Sequence, residues 1–152
     1  MQGRPTSSET GEQETQLNRP QRPGMRLGLL CRDGSQGADM KITDYRKVEA
    51  KKVDDPAAQG VTIRWLVSQK DGAPNFAMRL FEVAPGGHTP YHDHPFEHEV
   101  LILKGKGNLV GEDGAHPIGE GDALFVPGGE KHQFKNALKD TLVFLCMVPI
   151  EK

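Results

Sequence analysis

The amino-acid sequence predicts an all-β sandwich or barrel, on three observations. Short β-branched and apolar runs recur along the chain. Gly, Pro and Asp clusters punctuate them about every eight to twelve residues. No stretch sustains the 3.6-residue apolar period of a long amphipathic helix. "VTIRWLVS" (61–68) is the first strand, and "KDGAP" supplies its turn. "NFAMRLFEV" (75–83) follows and is closed by "APGG"; "EVLILKG" from Glu99 and "GNLVG" from Gly107 flank a Gly-bounded turn. "ALFVPGG" from Ala123 ends in turn residues, and "TLVFLCMV" from Thr141 is the last strand. "DYRKVEAKKVDD" reads either as a short helix or as an irregular edge arm.

The 152 residues are enough for one domain with a real core. Residues 1–24 are rich in Gly, Pro, Ser, Thr, Gln, Glu and Arg and nearly empty of apolar side chains, so they cannot offset the entropy of ordering. The expected organisation is a disordered N-terminal extension over 1–39 and a β domain over 40–152. A net charge of −2 without a basic stripe argues against a nucleic-acid partner. The apolar runs are shorter than a membrane span, and "MQGRPTSSETGEQETQ" lacks the features of a secretory signal, so the expected location is cytoplasmic and off the membrane. Cys31 and Cys146 make no disulfide framework.

The candidate chemistry is concentrated in "HTPYHDHPFEHE", which holds four of the six histidines. On a strand, His92 and His94 share a face, and His98 shares their parity if the chain stays extended through "PFE" or turns tightly at Pro95. His132 follows the Gly-rich turn in "PGGEKHQF", whereas His88 and His116 fall outside this pattern and read as solvated bystanders.

Two motifs then resemble those of the cupin superfamily. The first, G-x5-H-x-H-x3-4-E-x6-G, is matched at Gly86, His92 and His94. The second, G-x5-P-x-G-x2-H-x3-N, is matched at Gly121, Pro127, Gly129, His132 and Asn136. The resemblance covers roughly Asn75 to Ile150 and implies a double-stranded β-helix, the jelly-roll or cupin barrel, with metal motifs at 86–105 and 121–136. The family's fourth ligand is a glutamate three or four residues after the second histidine. A four-residue gap selects Glu99 but closes the motif on Lys106; a three-residue gap selects His98 and closes on Gly105. The register favours His92, His94, His98 and His132 as metal ligands, with Glu99 as the alternative. This looks like the small single-domain cupins that bind manganese through four histidines.

Four nitrogen donors exclude calcium and magnesium, which want oxygen. Manganese leads among the implied metals, followed by Fe, Ni, Co, Cu or Zn. Closed structural zinc is the main rival, although the motifs contain no thiolate. Neutral ligands leave a divalent charge uncompensated and so favour an anionic exogenous ligand. They also place metal loss at acid pH, below the free imidazole value of about 6.5. Glu97 and Glu99 are candidate partners for ligand imidazoles. Arg79, Phe134, Phe144 and Cys146 are candidate pocket residues, with Arg79 able to pair an anionic substrate. The leading functional expectation is a metal-dependent oxidoreductase of the dioxygenase or oxidative-cleavage type, acting on a small molecule. The alternatives are a redox-neutral isomerase or decarboxylase and a non-catalytic small-ligand-binding barrel. Exposed barrel edges and the family resemblance imply a homodimer, with exchange around Val61 to Ser68.

Overall fold

The computed structural model describes residues 40–150; the extension expected over 1–39, together with Cys31, lies outside the described residues. Nine strands follow in chain order: β1 Lys51–Lys52, β2 Gln59–Val67, β3 Phe76–His88, β4 His98–Lys104, β5 Lys106–Gly111, β6 Gly114–Gly119, β7 Ala123–Val126, β8 Gln133–Lys135 and β9 Leu142–Pro149. They form one antiparallel sheet in the order β6-β5-β8-β3-β9-β4-β7, with β2 added along β3 and β1 along β2. This sheet curls into the double-stranded β-helix expected from the motifs. Among the described residues, no helix is long and apolar enough to cross a membrane.

The barrel interior follows from period-two alternation. In β9, Leu142, Phe144, Cys146 and Val148 are buried while the intervening residues are half-buried. In β4, His98, Val100 and Ile102 are buried while Glu99, Leu101 and Leu103 are exposed. Val100 lies opposite Cys146 and Ile102 opposite Phe144, so the two inner rows meet directly. Val61, Ala77, Val83, Ile118 and Phe134 complete the core. His98 is thus placed by the same alternation that buries its apolar neighbours.

Several elements depart from the sequence expectation. The segment "DYRKVEAKKVDD" supplies a 3-10 turn over Tyr45–Lys47 and then the edge strand β1. β3 does not stop at "APGG" but runs on to His88, with Gly86 at φ +75. β6 and β8 lie in polar, Pro- and Gly-containing sequence that carries no strand alternation. His92 and His94 are not on a regular strand: His92 makes one isolated bridge to His132, and the chain bends at Pro95–Phe96. The strand expected through "HDH" is therefore not formed, because a proline and two flanking loops replace ladder pairing there.

The two loops that carry histidines are joined by backbone hydrogen bonds. His92 and His132 exchange N–H···O=C bonds of 3.2 and 2.9 Å, and Gly129 N–H donates to the His94 carbonyl at 2.7 Å. Gly129 sits at φ +80. A Cβ at Gly128 would overlap the Pro95 carbonyl. These glycines let the second loop lie directly on the first. Asn136, fully buried, ties down the far end of the loop. Its side-chain amide donates to the Val83 and Asp140 carbonyls at 2.9 and 2.8 Å, and its carbonyl accepts from Leu138 N–H at 3.0 Å.

Asn136→Ala strands two carbonyls and one N–H and is expected to cost about 2–4 kcal/mol. Urea unfolding of the metal-free protein checks this, and a loss below about 0.5 kcal/mol, the range of an indifferent surface change, contradicts it.

Candidate metal centre

Four imidazoles converge at the base of the barrel cavity. The ring centroids of His92, His94 and His132 lie 5.0–5.3 Å apart, and their ligating nitrogens all fall within 4.8 Å of one another. His98 stands against the same group, 4.5 Å from His94 and 4.9 Å from His132 between centroids, with the His94 and His98 Nε2 atoms 2.7 Å apart. Glu99 is exposed and pairs across the sheet with Phe125 and Met147, so its carboxylate belongs to the outer face. Neither Glu97 nor Glu99 bonds a ligand ring. Those partners are backbone carbonyls instead: His94 Nδ1–H donates to Phe96 O at 2.7 Å, and His132 Nδ1–H donates to Glu130 O at 2.8 Å. A carbonyl only accepts, so each bond fixes the tautomer that leaves the Nε2 lone pair facing the cluster. A convergent set of neutral imidazole lone pairs suits a transition metal, and the donor set fits one.

Burial favours the neutral form of His92, His98 and His132. The pKa of His98 is pushed down to about 3, first by burial and then by the Arg79 cation. Those of His92 and His132 are lowered by burial, with neighbouring histidines adding to the effect. Protonation of these three rings is therefore displaced below the free-imidazole value expected from the sequence alone.

A cavity of about 440 Å³ opens above the cluster, and all four histidines line it. Arg79, Phe134, Phe144 and Cys146 line it too. Phe134 stacks on Phe144 at 4.5 Å, and Phe144 on Phe81 at 5.2 Å. Arg79 is cross-strand partner to both Trp65 and Cys146. Its guanidinium carbon lies 5.6 Å from the Trp65 ring centre and 5.2 Å from that of Phe81, and its Nη2 donates to Cys146 Sγ at 3.1 Å. Its Nε is buried with no partner, and among the described residues no carboxylate pairs with it. Burial pushes the Cys146 thiol pKa up, a shift that Arg79 partly offsets.

Trp65, Phe81 and Phe96 are pocket walls that sequence reasoning missed. Trp65 could have been found from its odd position inside a β-branched run. Phe96 stacks on His94 at 3.8 Å, but its position in a non-repeating bend carried no signal. His88 is half-buried beside Thr89 and Gln133, and His116 pairs with Asp113 at 2.9 Å on the β5–β6 hairpin. Neither lines the cavity.

The cupin domain family matches residues 79–148, which span both histidine loops. The polyketide cyclase RemF from Streptomyces resistomycificus is 39% identical and superposes with a TM-score of 0.72, covering 74% of this chain and 81% of that one. The chain belongs to the cupin superfamily. A cupin-2 domain from Rhodospirillum rubrum is 30% identical, with a TM-score of 0.64 and coverage of 76% and 78%. A curated relative from the same organism, 1-methylthio-D-xylulose 5-phosphate methylsulfurylase, is 39% identical over 75 residues, 49% of this chain and 48% of the relative. The chain thus spans about half the length of that curated relative.

The lowered histidine pKa values carry a pH signature in the metal-free cupin. As pH falls below about 6.5, the unfolded chain takes up protons that the folded site refuses. Stability contributed by the neutral rings is present above that pH and is lost on acidification toward about 3, where His98 protonates. Thermal unfolding of chelator-treated protein should show this decline, and His98→Ala should flatten it. An unchanged slope in that variant contradicts the assignment.

Proposed function

We propose that this cupin is a metal-dependent enzyme of redox-neutral type, acting on a small, flat, anionic carbonyl compound. One observation carries the reading: Arg79, a cation without a carboxylate partner, is held between Trp65 and Phe81 on the wall that also presents the imidazole cluster. A sequestered charge with an unused N–H is costly until an anion meets it. The aromatic walls favour a planar, largely apolar body between that anion site and the histidines.

His92, His94, His98 and His132 would hold the metal, with manganese the leading ion and Fe, Co, Ni, Cu or Zn the other members of the donor set's range. When bound, the metal supplies a Lewis acid that polarises a substrate oxygen. The chain's own groups do the rest. Arg79 anchors the anionic substituent; Phe81, Phe134 and Phe144 exclude water and align the conjugated plane. Asp54 and Asp55, from the loop after β1, are the carboxylates on the cavity lining and can take a proton from a carbon next to the polarised carbonyl.

One relative is named a polyketide cyclase and another a methylsulfurylase, and neither name is that of an oxygenase. The oxidoreductase expected from the sequence draws no specific support from them. It remains the rival outcome of the same assay, as does a binding barrel without turnover.

Oxygen consumption and product formation should be followed together on a panel of aromatic and polyketide-like β-keto acids. Product formed under argon at the rate seen in air supports the proposal; stoichiometric oxygen uptake overturns it in favour of the oxidative reading. Tight binding without turnover identifies a binding module. Arg79→Met is expected to weaken binding of the anionic ligand by about tenfold or more, the scale of one lost charge-assisted hydrogen bond. It should leave metal content unchanged.

Metal analysis tests the ligand set separately. His98→Ala should lower metal affinity by at least about tenfold, whereas Glu99→Gln should leave it as in the wild type. The reverse pattern returns Glu99 as the ligand.

A further inference from the structure

The chamber above the imidazoles does not end at Arg79. A second cavity, of about 920 Å³, lies beyond it, and Lys51, Trp65, Arg79 and Phe96 line both. The inner rows of β3 and β9 show why the space divides there. Three cross-strand pairs succeed one another: Phe81 with Phe144, Arg79 with Cys146, and Ala77 with Val148. The first pair lines the chamber of the imidazoles, the last lines the second cavity, and Arg79 between them lines both. Ala77 and Val148 are much smaller than the aromatic pair, so the row loses side-chain volume just past Arg79. Ile150 continues this apolar floor, and Ser68, Gln69 and Lys70 give the second cavity a polar rim.

The waist between the two spaces suits a flat body. Phe96 is one side of it and is itself stacked on His94. Trp65 is another, and its ring is 46% exposed although it belongs to the cavity wall. Arg79 meets this waist from the side, with its buried Nε unpartnered. An anion that reaches Arg79 from within the waist must therefore carry its charge part-way along its length. The Phe81–Phe144 and Ala77–Val148 pairs are four strand residues apart, and the rise of a β-strand makes that roughly 13 Å. Three linearly fused rings have about that length.

We propose that the two cavities hold one elongated ligand: a flat, mainly apolar acid, as long as three fused rings, whose acidic oxygen lies at mid-length against Arg79. One end reaches the imidazoles. The other passes between Trp65 and Phe96 and rests on Ala77, Val148 and Ile150. This rests on the reading of Arg79 as an anion site and narrows the substrate class. Single-ring acids fill one chamber only, and acids charged at the tip cannot both meet Arg79 and occupy both spaces.

The test is binding of three acids to the full-length protein, with Zn²⁺ added as a diamagnetic ion. They are benzoate, anthracene carrying its carboxylate on the central ring, and anthracene carrying it on a terminal ring. The central-ring acid should bind about tenfold or more tighter than either of the others, because it alone buries apolar surface in both chambers with its charge at the waist. In NMR spectra its ring protons should contact both the Phe144 ring and the Val148 methyl groups. Ala77→Phe narrows the second cavity and should weaken the central-ring acid by about tenfold or more, while benzoate stays within about twofold of wild type. Contacts confined to one chamber overturn the proposal, and that measurement uses the wild type, so it stands whether or not the variant folds. Equal affinity for the two anthracene acids also overturns it, as does a folded Ala77→Phe that binds the central-ring acid like wild type. Arg79→Met separates the two readings. If it weakens both benzoate and the central-ring acid while contacts stay in one chamber, the anion site stands and the shared ligand falls. If contacts span both chambers and Arg79→Met changes no affinity, the anion site falls and the mid-length acid with it.

Discussion

The site depends on one contact, the docking of the loop before β8 onto the loop before β4. Three backbone hydrogen bonds, two between His92 and His132 and one from Gly129 to His94, bring together histidines that are about forty residues apart in sequence. Backbone bonds of this kind are specific in direction and are made between groups that would otherwise be buried without partners. The glycines at 128 and 129 exist for that docking: a side chain at the first would overlap Pro95, and the second adopts a left-handed backbone. Once the loops are joined, the His94 and His132 rings follow, because their Nδ1 hydrogens are captured by carbonyls of the same loops.

Around this junction the barrel supplies a low-dielectric wall of aromatic and aliphatic side chains, and the electrostatics of the site follow from it. Burial favours neutral imidazoles and a protonated thiol. The Arg79 guanidinium is held in the same wall over two aromatic faces and gives one N–H to sulfur. The outcome is a cavity with a positive residue on its wall, neutral donors at its base, and Asp54 and Asp55 on its lining. Such a cavity complements an anion that presents an oxygen to the base. In the same wall Cys146 lies directly opposite Arg79 in the ladder.

Much of this was legible in the residues. Gly121, Pro127, Gly129, His132 and Asn136 announced a built turn, and His92, His94 and His98 announced nitrogen chemistry. Glu99 faces outward as strand alternation requires, since β4 starts at His98 and its period is two. Arg79 stood out as a charge inside an apolar run. Other features were hidden for physical reasons. "HDH" looks like strand, yet its geometry is set by a proline bend and a tertiary bridge that no local pattern records. β3 continues through "APGG" because β2 and β8 pair with it, which overrides turn propensity. β6 and β8 are short and polar, and partner strands, not composition, make them strands. Trp65 and Phe96 become walls only after the sheet curls.

The central claim is that four imidazoles and no carboxylate or thiolate hold one transition-metal ion at the base of this barrel. X-ray absorption at the metal edge of the loaded, full-length protein tests it most directly. The account predicts a shell dominated by nitrogen, with outer-shell scattering from four imidazole rings and no sulfur. A sulfur shell, a fit to three or fewer imidazoles, or a carboxylate in place of His98 would contradict it.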